Sequence, residues 1–136
     1  MRLLLDTNII LDIALYREPH FQDSATVFKK IDNKLVFGFV TATTVTDIYY
    51  ISKKGKGHNE AIEFIANLLQ IVDVLGVDKE VILSSIESEF LDFEDAIQSI
   101  VSSFNNIDII ITRNTKDFLN SEIKAISPSE FLAQNK

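Results

Sequence analysis

Two apolar segments, one near each end of the chain, most constrain how it can fold. Residues 3–5 are all leucine and run directly into Asp6, and residues 107–111 run into the polar segment 112–118, which contains Asp117. Apolar runs without polar alternation are typical of strands buried on both faces, as in a parallel sheet covered by helices. The carboxyl ends of such strands line the ligand crevice of an open α/β sheet. We therefore expect acidic side chains at that edge.

Helical and strand periodicities alternate along the rest of the chain. The spacing of apolar residues predicts helices at 8–16, 21–31, 58–70, 79–88 and 93–104, one that starts at 41–43 and is stopped by 53–57, and a last helix opened by Pro128. It predicts strands at 35–40, 71–77, 107–111 and 123–126. Asp78 is placed to cap the helix that follows it. The predicted fold class is α/β, with a parallel sheet of four to five strands.

The composition restricts the classes of protein to which this chain can belong. The 136 residues predict a single domain over 1–136, and 46% hydrophobic residues predict a folded chain. The absence of cysteine excludes disulfides, thiolate catalysis and sulfur-ligated zinc, and favours a cytoplasmic location. No segment is long and apolar enough to predict a membrane span. A net charge of -7 argues against a broad nonspecific nucleic-acid surface, but not against a nuclease whose acids are neutralised by metal ions.

Four aspartates are the candidate catalytic residues. Asp6 and Asp117 follow predicted strands, whereas Asp47 and Asp95 lie early in predicted helices beside apolar positions. Each has a structural alternative: Asp6 as a helix cap, Asp117 as a turn residue, and the other two as polar-face residues. If all four converge, they form a site for hard divalent cations.

Oxygen ligands in that number favour Mg²⁺ or Mn²⁺. A pair of such ions can clamp the attacking and leaving oxygens of a phosphodiester and activate a bound water, so no histidine base is required. The two histidines, His20 and His58, lack the spacing of a zinc site, and the sequence has no phosphate-binding Gly-Lys-Ser/Thr loop.

The motifs around these aspartates resemble the PIN-domain ribonucleases, in the branch close to VapC-type toxins. The resemblance rests on Leu4-Leu5-Asp6-Thr7-Asn8, on Thr46-Asp47-Ile48-Tyr49-Tyr50, on Asp92-Phe93-Glu94-Asp95-Ala96, on Ile111-Thr112-Arg113-Asn114-Thr115-Lys116-Asp117-Phe118 and on the tail Ser127-Pro128-Ser129-Glu130-Phe131-Leu132. It implies a three-layer α/β/α sandwich in which the first and fourth strands are neighbours.

The resemblance also implies roles for particular residues. Asp6, Asp47, Asp95 and Asp117 take the acidic positions, of which Asp6, Asp95 and Asp117 are expected to bind metal. Thr7, Asn8 and Thr112 are expected to orient carboxylates or waters, Asn114 to bind through its amide oxygen, and Arg113 or Lys116 to contact phosphate.

Two positions depart from the family pattern, and one is ambiguous. Many relatives carry Glu where this chain has Asp47, and Asp where it has Asn114. Glu94 competes with Asp95, because adjacent helix positions point about 100° apart and only one is expected to face the site.

The predicted function is a Mg²⁺- or Mn²⁺-dependent endoribonuclease, acting as the toxin of a type II toxin–antitoxin pair. The resemblance implies RNA as substrate, an antitoxin protein as partner, and a homodimer. One alternative is a non-catalytic PIN domain that binds metal and RNA. A more remote alternative is a phospho-accepting receiver domain, which is disfavoured because Thr7-Asn8, not a second acid, follows Asp6.

Overall fold

The structure, a computed structural model, describes residues 1–135 of the chain. Within them, one parallel sheet contains the strands β1 (Arg2–Leu5), β2 (Phe37–Thr41), β3 (Asp73–Leu75), β4 (Ile109–Ile111) and β5 (Ala125–Ile126). The strand order is β3-β2-β1-β4-β5. The predicted α/β class and five-stranded parallel sheet are confirmed.

Helices connect the strands. They are α1 (Thr7–Ala14), α2 (His20–Asp32), α3 (Ala42–Lys56), α4 (His58–Leu68), α5 (Lys79–Ile86), α6 (Phe93–Phe104) and α7 (Pro128–Gln134), with a short 3₁₀ helix at Thr115–Phe118. The predicted strands were too long, because apolar burial continues past the hydrogen-bonded ladder. Ile107, for example, is buried but precedes β4. In residues 1–135, no helix combines the length and apolarity needed to cross a bilayer.

The first strand lies between β2 and β4, and this arrangement creates the crevice. Leu4 pairs with Phe39 on one side, and Leu5 pairs with Ile111 on the other. Strand order reverses between β1 and β4, which is where open α/β sheets bind ligands. Receiver domains have the order 2-1-3-4-5, so the observed order 3-2-1-4-5 excludes a receiver fold.

Both faces of β1 are buried, which explains its run of three leucines. Leu3 and Leu5 pack with α1 residues such as Ile9 in the main core cluster, whereas Leu4 packs with Ile110 and Phe118 in a second cluster. Side chains alternate between faces along a strand, so a strand covered on both sides needs an apolar residue at every position.

Side-chain caps fix where several helices begin. Asp78 accepts from the Val81 N–H at the start of α5, as the sequence predicted, and Asp92 accepts from the Asp95 N–H at the start of α6. Thr41 accepts from the Thr44 N–H at the start of α3. These caps fix the beginnings of α3 and α6. Glu94 and Asp95 lie in the first turn of α6, and Asp47 lies in the second turn of α3.

Candidate active site

Asp6 lies at the centre of the crevice, in the N-cap position of α1, but its carboxylate does not cap that helix. Instead, Oδ1 accepts a hydrogen bond from Gln98 Nε2 at 3.0 Å, and Oδ2 accepts one from Thr112 Oγ1 at 2.7 Å. The residue is only 5% exposed. A carboxylate held by two side chains from distant elements is positioned for a role other than helix capping.

A row of threonine hydroxyls leads to Glu94. Thr41 Oγ1 donates to Thr44 Oγ1 at 3.1 Å, Thr44 and Thr7 hydroxyls lie 2.8 Å apart, and Thr7 Oγ1 donates to Glu94 Oε1 at 3.0 Å. Because Thr7 gives its only hydroxyl proton to Glu94, Thr44 must be the donor to Thr7. The prediction that Thr7 orients a carboxylate therefore agrees with its contact, although the carboxylate is that of Glu94.

Glu94 and Asp47 form a carboxyl pair. Burial, a hydrogen bond with Asp47 and the charge of Asp47 raise the pKa of Glu94 from 4.5 to about 7, with Asp6 adding a smaller repulsion and Thr7 opposing it. Two carboxylates can hydrogen-bond only when one carries a proton. At neutral pH Glu94 therefore carries a proton for part of the time.

Asp95 occupies the other side of Asp6. Burial, followed by the charges of Asp92, Asp6 and Asp117, raises the pKa of Asp95 from 3.8 to about 7. Asp117, on the exposed side of the 3₁₀ helix, is thus close enough to repel Asp95. All four aspartates singled out in the sequence lie in one acidic neighbourhood.

The expectation that only one of Glu94 and Asp95 faces the site was wrong. Both lie in the first turn of α6, and they diverge around Asp6. Glu94 reaches toward α1 and α3, whereas Asp95 faces the 3₁₀ helix. The end of a helix, unlike its side, can present neighbouring side chains to one centre.

These side chains suit a hard divalent cation by donor type. The charged groups that raise the pKa of Glu94 and Asp95 are all carboxylates, and Mg²⁺ takes one or two carboxylates while keeping several waters. Gln98 Oε1 is buried without a hydrogen-bond partner, on the same amide that holds Asp6. Among residues 1–135, however, no three His, Cys, Asp or Glu side chains are gathered closely as a ligand group. The acids are near neighbours that repel one another.

The other predicted site residues divide into two groups. Thr112 contacts Asp6 directly, and its hydroxyl accepts a hydrogen bond from the Asn114 N–H at 3.0 Å. Lys116 lies beside Asp95 and Asp117 in a cleft of about 430 Å³. Asn114 and Lys116 have exposed side chains. Asn8 is half-buried and makes none of the hydrogen bonds described for this site.

Arg113 makes a strong contact that the sequence did not reveal. Its Nε and Nη2 donate to Asp12 at 2.8 and 3.1 Å, and Asp12 is fully buried. This bidentate pair fixes the backbone next to Thr112. Lys116, not Arg113, is therefore the freer cation beside the acids.

Sequence reasoning missed three residues that build the site, namely Asp12, Thr44 and Gln98, and it named Glu94 only as a competitor of Asp95. Gln98 had a readable signal, because it interrupts the apolar face of α6 formed by Ile97 and Val101 and lies four residues after Glu94. Asp12 and Thr44 had none, because their partners come from remote parts of the chain.

With this geometry established, the family can be identified. A model of the PIN domain matches residues 2–116. The chain belongs to the PIN domain family. The match includes every acidic residue discussed above except Asp117. No curated protein sequence matches the chain.

Solved structures share the fold of this PIN domain at low sequence identity. DNA-bound VapBC from Salmonella typhimurium gives a TM-score of 0.71 at 14% identity, covering 94% of this chain and 98% of that chain. A toxin–antitoxin complex from Klebsiella pneumoniae gives a TM-score of 0.69 at 20% identity, covering 92% of this chain and 96% of that chain. Mycobacterium tuberculosis VapC20, a sarcin–ricin loop cleaving toxin, gives a TM-score of 0.66 at 12% identity, covering 79% of this chain and 86% of that chain.

The raised pKa values of Glu94 and Asp95 predict how pH affects stability. The folded chain retains protons that the unfolded chain has lost, so stability falls as pH rises from about 4, near the ordinary pKa of these carboxyls, to about 7, their pKa in the fold. Asp95→Asn removes one of these charges. With EDTA present, we expect the variant to melt above the wild type at about pH 8, and the difference to shrink toward about pH 5.

Thermal melts across this pH range test the prediction, with Asp73→Asn as control, because Asp73 is exposed at the start of β3. A difference between Asp95→Asn and wild type that does not change with pH would contradict it.

Gln98 should govern how well Asp6 binds a cation. Gln98→Met keeps the length of the side chain but removes the donor to Asp6 and the unpartnered acceptor. Loss of such a supporting contact typically weakens metal affinity about 10- to 100-fold. We expect that loss in calorimetric titration with Mn²⁺, without a matching loss in metal-free melting temperature. Ser103→Ala, which removes only a bond to Ile100 within α6, should bind Mn²⁺ as the wild type does.

Proposed function

We propose that this PIN domain is a divalent-metal-dependent endoribonuclease that uses Mg²⁺ or Mn²⁺. The observation that carries the proposal is the fixed carboxylate of Asp6 at the β1/β4 switch point, surrounded by Asp47, Glu94, Asp95 and Asp117. Asp6, Asp95 and Asp117 are the proposed metal ligands, with Glu94 added from its position beside Asp6. The proposed product is a strand end carrying a 5′-phosphate.

A divalent cation bound there would neutralise phosphate charge and make a water molecule more acidic. The chain's own residues hold the acidic side chains in place and exchange protons. Gln98 and Thr112 hold Asp6 in one orientation, so its oxygens need no reorganisation. The pKa of Glu94, raised to about 7 by burial and by Asp47, lies near neutral pH, where an acid–base group works best. Lys116, at the mouth of the acidic cleft, is placed to contact phosphate.

Toxin action in a type II toxin–antitoxin pair is the biological role we propose. The similar structures support it, since VapC20 cleaves the sarcin–ricin loop, and the Klebsiella and Salmonella structures are toxin–antitoxin assemblies. The partner would be an antitoxin that places a basic side chain against the acidic cluster. Electrostatics favour that arrangement, because a cation relieves the repulsion that, in addition to burial, raises the pKa of Glu94 and Asp95. We propose that the protein works in the cytoplasm.

A non-catalytic PIN domain that binds metal and RNA is the second candidate. It is favoured by the absence of a closely gathered ligand group among residues 1–135, and by Asp47 and Asn114 standing where many relatives have Glu and Asp. The two candidates differ in one measurable respect, which is turnover of RNA by the purified protein.

Asp6→Asn tests the catalytic proposal. We expect the variant to lose Mn²⁺-dependent cleavage of single-stranded RNA, because the central charge is gone. Its metal-free melting temperature should be unchanged or higher, because asparagine can still pair with Gln98 or Thr112 and one repelling charge is removed. Gel analysis of labelled RNA with Mn²⁺, Mg²⁺ or EDTA provides the measurement.

Asp73→Asn again serves as the matched control and should cleave like the wild type. Equal cleavage by Asp6→Asn and wild type would refute Asp6 as a catalytic residue. No cleavage by the wild type, combined with Mn²⁺ and RNA binding, would favour the non-catalytic candidate.

Homodimer formation is proposed from the apolar surface of α5. Leu83 and Ile86 on this helix are 51% and 63% exposed, and Leu91 and Phe93, which follow it in the chain, are also exposed. Exposed apolar residues that together form a large patch mark an interaction site. We expect the wild type to sediment as a dimer and the double variant Leu83→Ser/Ile86→Ser as a monomer. Ile62→Ser, on the exposed side of α4, should remain dimeric, and a monomeric wild type would exclude the dimer.

A further inference from the structure

The solvent side of α3 carries an aromatic and basic patch. Tyr50 is 63% exposed, and Lys53 and Lys54 are exposed as well. The two lysines come three and four residues after Tyr50, so they are its neighbours on the surface of the helix. We call these three residues the Tyr50 patch. Its ring and its two cations match the two parts of a nucleotide, the base and the phosphate.

Helix geometry places the Tyr50 patch next to the acidic site. Asp47 lies on the same helix, three residues before Tyr50, and it forms the hydrogen bond with Glu94. A rise of 1.5 Å per residue puts Tyr50 about 4.5 Å and Lys54 about 10.5 Å beyond Asp47 along the helix axis. Helical side chains lean toward the amino end of their helix, which here is the end near Asp47. A nucleic-acid strand that leaves the acidic site along α3 therefore meets Tyr50 first and the lysines next.

Neighbouring rings restrain Tyr50. The Tyr49 ring meets the Tyr50 ring edge to face, with centroids 5.1 Å apart and an interplanar angle of 74°. Tyr49 is fixed in turn, because its hydroxyl lies 2.7 Å from Nδ1 of His58, the first residue of α4. Tyr50 is thus a restrained ring with most of its surface in solvent. Such a ring loses little conformational entropy when a ligand stacks on it.

The two lysines of the Tyr50 patch are available to an anion. Among residues 1–135, neither Lys53 nor Lys54 forms an ion pair with a carboxylate. Lys53 Nζ lies 5.8 Å from the centre of the Tyr49 ring, so its charge stays beside the aromatic residues. Lys56 is not part of the patch, because it donates to the backbone of α1. In a chain of net charge -7, the Tyr50 patch is a local reversal of charge.

Single-stranded RNA fits this combination better than a protein or a duplex does. Unpaired bases stack on aromatic side chains, and lysines neutralise the phosphates that link them. Protein interfaces are depleted in lysine, which makes up two of the three residues of the patch. In a duplex the bases stack on each other, which leaves the Tyr50 ring unused. The ring and the cations are used together only by a strand with unpaired bases.

We propose that the Tyr50 patch binds single-stranded RNA on one side of the cleaved bond. A base near that bond stacks on Tyr50, and Lys53 and Lys54 contact the phosphates that follow. The inference rests on the proposed endoribonuclease function for the bond that is cut, whereas binding at the patch requires no turnover. The patch therefore favours substrates whose bases are unpaired close to the cleavage site.

Substitutions at Tyr50 test the stack. We expect Tyr50→Ala to lower the affinity for a short single-stranded RNA about 10-fold, as for one lost base–aromatic stack. Tyr50→Phe keeps the aromatic face and should bind as tyrosine does, whereas Tyr50→Leu keeps only apolar bulk and should bind like Tyr50→Ala. Fluorescence anisotropy with Mg²⁺ present, in the Asp6→Asn background, measures binding without cleavage. Annealing the RNA to its complement should abolish the difference between tyrosine and alanine.

Salt dependence tests the two lysines. Each phosphate contact with a single strand contributes about 0.7 to the slope of log affinity against log salt concentration. Lys53→Gln/Lys54→Gln should therefore make that slope shallower by about 1.4, while Tyr50→Ala should leave it unchanged. Lys29→Gln/Lys34→Gln is the matched control. It removes the same charge from exposed lysines near the amino end of β2, the sheet edge opposite the acidic site, and should leave the slope unchanged.

Full RNA affinity in Tyr50→Ala, equal affinities of Tyr50→Leu and Tyr50→Phe, or equal slopes in the two lysine variants would overturn the proposal. A Tyr50→Ala protein that loses self-association in sedimentation but keeps its RNA affinity would also overturn it, because the ring would then belong to a protein interface. Cleavage by the wild type is scored separately. Cleavage together with unchanged Tyr50→Ala binding rejects only the patch, whereas selective binding loss without any cleavage rejects only the nuclease.

Discussion

The parallel pairing of β1 with β4 is the constraint on which the rest of the site depends. Leu5 pairs with Ile111, and the Asp6 N–H donates to the Ile111 carbonyl at 3.0 Å, so the two strands end at the same level. Asp6 and Thr112 then follow side by side, although 105 residues separate them in the sequence. A shift of one residue would turn Asp6 away from this edge and bury Thr7 in its place, because strand side chains alternate.

Once Asp6 is fixed, the remaining acids can approach only at an electrostatic cost. Burial and neighbouring charge raise the pKa of both Glu94 and Asp95 to about 7. The fold tolerates this cost because apolar contacts and helix caps hold each backbone independently of the charges. Asp92 caps α6 directly before the two acids, and Ile97 and Val101 anchor the same helix in a buried cluster. The site is thus a region of stored repulsion on a stable framework, which a cation or a basic partner can relieve.

The sequence predicted the elements that depend on local patterns. The limits of α6 were predicted at 93–104 and observed at Phe93–Phe104, because its apolar spacing and its Asp92 cap are both local signals. The approximate position of the four aspartates could also be predicted from the sequence, since strand ends and helix starts are local features. The contacts of Gln98 with Asp6 and of Arg113 with Asp12 could not be predicted from the sequence, because they join side chains that are 92 and 101 residues apart. Strand ends were overestimated for a related reason, since burial continues beyond the ladder.

The Glu94–Asp47 contact gives a physical account of the most unusual position in the motif. Aspartate is one methylene shorter than glutamate, so the Asp47 carboxylate on α3 has a short reach. Glu94 extends from α6 to meet it and is steadied by the Thr7 hydroxyl, which the row of threonines from α3 supplies with a donor. Burial and the neighbouring Asp47 raise the pKa of Glu94 to about 7, which adds to this site an acid–base group that carries a proton for part of the time at neutral pH.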